Sequence, residues 1–179
     1  YQSGTRLTAL IVSGSDALLK EAHPKCSVQE IMSDICIQAS PIIDRASEES
    51  YLPTLQGSGV LNVGAALRSE VFIIPHNINF ISSVKNSTPV ELKKEITCTN
   101  TQNLPKTYYC YLDRSIPGVE LQFPHAITLQ PYETKKIELG ARIDLGICNG
   151  FESGRIYLSN EQDRLNIPYL VGSFPTNFS

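Results

Sequence analysis

The sequence predicts an α+β chain, mostly β, with helices over residues 1–69 and an antiparallel β-sandwich over residues 70–179. Two observations lead there. Before about residue 70, apolar residues return every three or four positions, the period of a helix with one buried face. After it, β-branched and aromatic residues alternate with polar ones in short runs divided by Pro and Gly, with no gap long enough for a helix.

The first helix is expected over 7–22, where Leu7, Leu10, Ile11, Gly14, Ala17, Leu18 and Glu21 trace one largely apolar face and Pro24 stops it. A second starts at Ser27. With Glu30 it makes a Ser-x-x-Glu capping box, which satisfies backbone N–H groups that lack a helical partner. Val28, Ile31, Ile35 and Cys36 should then face a core, and Pro41 lies beyond the end. Residues 41–57 read as an irregular polar loop, and a short helix over 62–67 follows the Gly57-Ser58-Gly59 turn. Strands are expected near 70–74, 77–81, 90–99, 106–112, 118–122, 126–130, 134–141, 154–159 and 165–170. Such a series of short strands is the pattern of a sandwich.

A charged fraction of 18% and a net charge of −3 offer no nucleic-acid surface. No stretch approaches the roughly 20 apolar residues of a membrane span. Cys26, Cys36, Cys98, Cys110 and Cys148 contain no Cys-x-x-Cys pair, and His23, His76 and His125 are scattered beside prolines. No metal or other cofactor is therefore expected. Asp16, Asp113 and Asp144 show no paired-carboxylate spacing, and the lack of tryptophan argues against a sugar-stacking platform. Five cysteines together with two sequons, at Asn86 and Asn177, point to a secreted, disulfide-containing glycoprotein.

Three ordered segments carry a family resemblance. Ser3-Gly4-Thr5-Arg6-Leu7-Thr8-Ala9 resembles the nucleophile motif of subtilisin-like proteases, and Val12-Ser13-Gly14 with Ala17-Leu18-Leu19 follows as in the family's next helix. Gln29-Glu30-Ile31 through Ala39 resembles the helix after that, and Gln56-Gly57-Ser58-Gly59-Val60-Leu61-Asn62 the family's closing Gln-Gly-Ala-Gly-x-Val-Asn segment. The second half is similar to the fibronectin type III-like domain that follows the catalytic domain in many secreted members. There the match lies in Ile96-Thr97-Cys98-Thr99-Asn100-Thr101, Tyr108-Tyr109, Ile127-Thr128-Leu129-Gln130-Pro131, Gly150 to Leu158 and Ile167-Pro168-Tyr169-Leu170.

One departure decides the expected activity. Arg6 stands where the family has its nucleophilic serine, and a guanidinium is permanently protonated. Acyl transfer by a serine also needs a histidine base and an orienting aspartate. By the resemblance, the family's Asp, His and oxyanion Asn all precede the nucleophile motif, hence Tyr1. Ser3 is two residues out of register and Thr8 falls on the wrong side of the turn. The family's first helix lies under a parallel sheet built from upstream residues, so an upstream chain of the same precursor is expected as the partner.

Among the cysteines, Cys98 and Cys110 lie on neighbouring expected strands joined by a turn with Asn103 and Pro105, a candidate cross-strand disulfide. Cys26 and Cys36 flank the second helix and would need a chain reversal to meet. Cys148 is left to link to an upstream chain or to pair with Cys98 or Cys110. Tyr108, Tyr109 and Tyr111 should alternate between core and surface, and Lys93-Lys94-Glu95 should be a solvated strand face.

The functional expectation is a non-catalytic, pseudoprotease segment of a secreted subtilisin-like protein, acting as a binding or assembly module. It would be the partner of an upstream chain in a heterodimer from a processed precursor, a toxin or effector subunit being one form of it. The alternative is the C-terminal fragment of an active secreted serine protease whose Asp and His lie on another chain.

Overall fold

The computed structural model describes residues 5–82, 89–148 and 150–173. Ser3 and both sequon asparagines, Asn86 and Asn177, lie outside the described residues.

Four helices precede nine strands: α1 (Thr5–Ala22), α2 (Val28–Ile37), α3 (Pro53–Gln56), α4 (Val63–Ala66), then β1 (Val71–Ile74), β2 (Ile78–Ser82), β3 (Val90–Asn100), β4 (Lys106–Leu112), β5 (Val119–Gln122), β6 (Ala126–Leu129), β7 (Thr134–Ile143), β8 (Phe151–Ser159) and β9 (Arg164–Ser173). Each expected strand is found. The helix over 53–56 was not expected inside the 41–57 loop. It is one turn long, opens on Pro53 and has too few residues to show a period.

The strands form two facing sheets, in the orders β1-β3-β7-β5 and β2-β9-β8-β4-β6. The expectation of a wholly antiparallel sandwich needs one correction: β2 runs parallel to β9. Only residues 75–77 carry the chain from β1 to the opposite sheet, so β2 enters at that sheet's edge, beside the last strand and in its direction. Between the sheets, the inward residues of the alternating strands form one core, with Ile96 paired to Ile137 and both buried beside Phe80, Tyr108, Ile143, Ile156 and Ile167. On the outer face of β3 and β7, Lys93 meets Glu138 and Lys136 meets Glu95, each at 2.7 Å, the solvated face expected of that run.

Helix α2 opens on the expected box: the Ser27 hydroxyl accepts from the Glu30 N–H, and the Glu30 carboxylate accepts from the Ser27 N–H at 2.7 Å. Its inward side is Ile31, Ser33, Asp34 and Ile37, whereas Val28, expected to face a core, is exposed. The helix lies against β1. The Ser33 hydroxyl donates to the Ile73 carbonyl at 2.8 Å and accepts from the Ile73 N–H at 2.9 Å. A helix side chain thus completes the open edge of β1, which would otherwise carry unpaired backbone groups. At the far end of α2, the Asn166 amide of β9 donates to the carbonyls of Ile37 at 3.1 Å and of Ala39, just past the helix, at 2.8 Å, closing backbone acceptors that have no helical partner.

The 41–57 loop is organised by Gln56. Its side-chain oxygen accepts from the Ile42 N–H at 2.6 Å, and its amide donates to the Tyr51 carbonyl. Three residues on, Gly59 has φ of 127°, and a Cβ there would run into the Ser40 carbonyl where residues 40 and 60 bridge. The Gln-Gly-x-Gly run therefore has a local reason in this chain: an amide that ties the loop and a glycine that permits its closure.

Candidate functional site

The feature that stands out is the surface of α1. The expected apolar face is the one left outside. Leu10 is 71% exposed, Ile11 and Leu18 are about half exposed, and Leu7 is also exposed. The helix turns Ser15 and Leu19 inward instead, and Leu19 joins Ile31 and Ala66 in a small cluster apart from the sandwich core. Val28 and Met32 of α2 add further exposed apolar surface. The Lys20 ammonium donates to the Pro24 and Cys26 carbonyls, holding the turn between α1 and α2. Arg6 lies in the first turn of α1. The hydroxyls of Ser13 and Ser15 donate to carbonyls one turn back, at Ala9 and Ile11.

All five cysteines are free thiols. Cys98 and Cys110 are on β3 and β4, which belong to opposite sheets, so the cross-strand pairing within one sheet is corrected to a facing placement in the shared core. The error came from assuming that consecutive strands pair; here the connection passes from one sheet to the other. Burial raises both thiols, Cys98 to about 12 with the nearby Cys110 contributing, and Cys110 to about 11. Cys26 and Cys36 sit at opposite ends of α2, as expected, and burial is the largest cause raising each. Cys148 is 3% exposed and part of the sandwich core.

His23 places Nε2 3.3 Å from the Leu67 carbonyl, burial lowers the pKa of His76, and His125 is exposed. Among the described residues no group of three or more His, Cys, Asp or Glu is placed to hold a metal, and no helix is long and apolar enough to cross a membrane. Tyr108 is buried, while Tyr109 and Tyr111 are exposed, as their alternation requires. Asp113 is engaged with β8, Asp144 accepts from the Gly146 N–H, and Asp16 leaves one oxygen without a partner.

Two buried polar side chains carry the junction between loop and sandwich, and neither was singled out from the sequence. Arg155 of β8 is fully buried and donates to the Ser50 hydroxyl at 2.9 Å and to the carbonyls of Tyr51 at 3.0 Å and Gly57 at 3.2 Å. Asn166 is the other. Each polar side chain is flanked directly on both sides by non-polar residues, Gly154-Arg155-Ile156 and Leu165-Asn166-Ile167. That interruption is the signal that could have found them, because both faces of β8 and β9 are covered.

The covering loop leaves clefts. One of about 400 Å³ lies between residues 38–41, α4 and the β8–β9 turn, with Arg68, Arg164, Asp163 and Tyr157 in its wall. A second of about 850 Å³ runs on from it beneath residues 43–55, sharing Ile43, Ser50, Tyr157 and Arg164 and reaching Tyr111. A third of about 260 Å³ sits beside α3, with His76, Thr54 and Ser153.

No family model matches the chain. The minor extracellular protease Vpr of Bacillus subtilis (strain 168) is 20% identical over 143 residues, 80% of this chain and 18% of that protein. The chain thus has distant similarity to a subtilisin-like protease while spanning about a fifth of its length. Among solved structures, the FixG-related protein from Vibrio parahaemolyticus aligns at 12% identity and a TM-score of 0.43, over 59% of this chain and 95% of its own. A PapD-like domain of human CEP192 aligns at 11% identity and a TM-score of 0.45, over 60% of this chain and 87% of its own.

Proposed function

We propose that this chain is a non-catalytic segment of a secreted subtilisin-like protein, its second half a fibronectin type III-like domain, and that it works as a binding and assembly module. The observation that carries the reading is the outward apolar face of α1, an eighteen-residue helix with Leu10, Ile11 and Leu18 about half exposed or more. On this reading an upstream polypeptide of the same precursor supplies a sheet that covers those side chains together with Val28 and Met32. Full burial of each is worth about 1.5–3 kcal/mol. Arg6, in place of the serine that the family resemblance leads one to expect, supports the absence of catalysis, since a fixed cation cannot become a nucleophile.

The likeness to an extracellular protease favours a second reading, in which the chain completes an active protease whose Asp and His lie on another polypeptide. One experiment separates the two. The chain is co-expressed with the polypeptide encoded upstream of it, the complex is weighed by native mass spectrometry, and a fluorophosphonate probe is added. A heterodimer that takes up no probe is the expected result. Serine labelling of the heterodimer would establish the second reading, and a stable monomer that ignores the upstream polypeptide would end the assembly role.

A further inference from the structure

We propose that the cleft between α4 and the β8–β9 turn binds an acidic peptide segment, with Arg68 and Arg164 holding its carboxylates. The two arginines come from distant parts of the chain to one wall. Among the described residues neither forms an ion pair with a carboxylate within 4 Å. Asp163, the acid lining this cleft, is half-buried and interacts with Glu70, Lys106 and, most weakly, Arg68, so two arginines against one carboxylate leave the wall a net positive charge. Behind Ser50 lies the buried guanidinium of Arg155, close enough to Arg164 for the two charges to oppose each other. The Arg164 guanidinium carbon stands 4.1 Å over the Tyr157 ring. Stacking fixes the plane and leaves the N–H edge for a ligand, and a guanidinium edge matches a carboxylate with two parallel hydrogen bonds.

The neighbouring groove sets the rest of the ligand. It offers Tyr51, Leu55, Tyr111 and Tyr157 as apolar footing, and the acidic residues Asp44, Glu48 and Glu49 at its lip. That lip repels carboxylates, so the peptide lies with its acidic end at Arg68 and Arg164 and aromatic or aliphatic residues along the tyrosines. This inference concerns a surface separate from the α1 face, and its failure would leave the assembly reading untouched.

The test is a fluorescence anisotropy titration of the full chain with a fluorescein-labelled pentapeptide of two glutamates followed by aromatic residues. Saturable binding is expected, weakened about tenfold or more by Arg68→Gln, by Arg164→Gln, or by glutamine in place of the peptide's glutamates. Arg142→Gln, on the opposite sheet where Arg142 already faces Glu120 at 3.6 Å, should leave it unchanged. Equal affinity for the glutamine peptide, an equal loss in Arg142→Gln, or the absence of saturation at millimolar chain would overturn the proposal. So would displacement by inorganic phosphate at lower concentration than by unlabelled peptide, since the site would then be a phosphate site.

Discussion

Asp113 grips Arg155 by both backbone and side chain. Its Oδ1 accepts the Arg155 N–H at 2.8 Å, its own N–H donates to the Arg155 carbonyl at 3.1 Å, and its Oδ2 lies 3.8 Å from the guanidinium. The guanidinium, at 0% exposure, also holds Tyr51 and Gly57, so one charge pair fastens the loop of residues 50–57 to β8. Burial lowers the pKa of Arg155, with Asp113 among the charges opposing that shift.

A buried ion that loses its partner is costly, while losing both partners can cost less. Asp113→Ala should therefore destabilise the chain by about 3 kcal/mol or more, read as a shift of the urea midpoint followed by tyrosine fluorescence. The double variant Asp113→Ala with Arg155→Met should fall short of the sum of the two single losses. Strict additivity would show that the pair is not coupled.

Ser33→Ala isolates the edge of β1. The hydroxyl serves both the N–H and the carbonyl of Ile73 in a buried setting, and alanine leaves both without a partner. The expected loss is about 1–3 kcal/mol in urea unfolding. Faster amide exchange at Ile73 should accompany it, while amides in the strands of the opposite sheet keep their protection.

These contacts mark the limit of what the sequence reveals. Alternation and turn residues placed all nine strands, because each strand's period is local, and the Ser27–Glu30 box located the start of α2. What failed depends on which surface meets which. Val28 was expected inside and is exposed, and Cys98 and Cys110 face each other from opposite sheets. The orientation of α1 follows the same rule, since periodicity names an apolar face without naming its cover. Arg155 and Asn166 were overlooked because their partners are carbonyls about a hundred or more residues away, which no local pattern encodes.

Asp34 should make stability depend on pH. It is 2% exposed, one carboxyl oxygen has no hydrogen-bond partner, and its pKa is raised from 3.8 to about 7. Burial is the main cause, the charge of Glu30 acts in the same direction, and the Ser69 hydroxyl opposes both. A raised carboxyl favours the protonated folded state. As pH climbs from about 4 to 7 the unfolded chain releases this proton while the folded chain retains it, so stability falls, and it levels off above 7. Asp34→Asn should flatten that window and stabilise the chain at pH 8 by about 2–4 kcal/mol. Urea midpoints at pH 4, 6 and 8 provide the check. Parallel pH profiles for the two chains would rule Asp34 out as their source.

Leu10 and Leu19 lie on one helix and should behave in opposite ways. Leu19 is fully buried against Ile31 and Ala66, so Leu19→Ala leaves a hole and should cost about 2–4 kcal/mol in the isolated chain. Leu10 is 71% exposed, and Leu10→Glu in the isolated chain should change stability by no more than about 0.5 kcal/mol. If another polypeptide covers α1, the ranking changes for association. A glutamate at position 10 would then be pressed into an apolar contact without a partner, and binding to the upstream polypeptide should weaken by about tenfold or more. Native mass spectrometry and urea unfolding of the same two variants give both readouts. An association that tolerates Leu10→Glu would mean that this face of α1 is not where the partner sits.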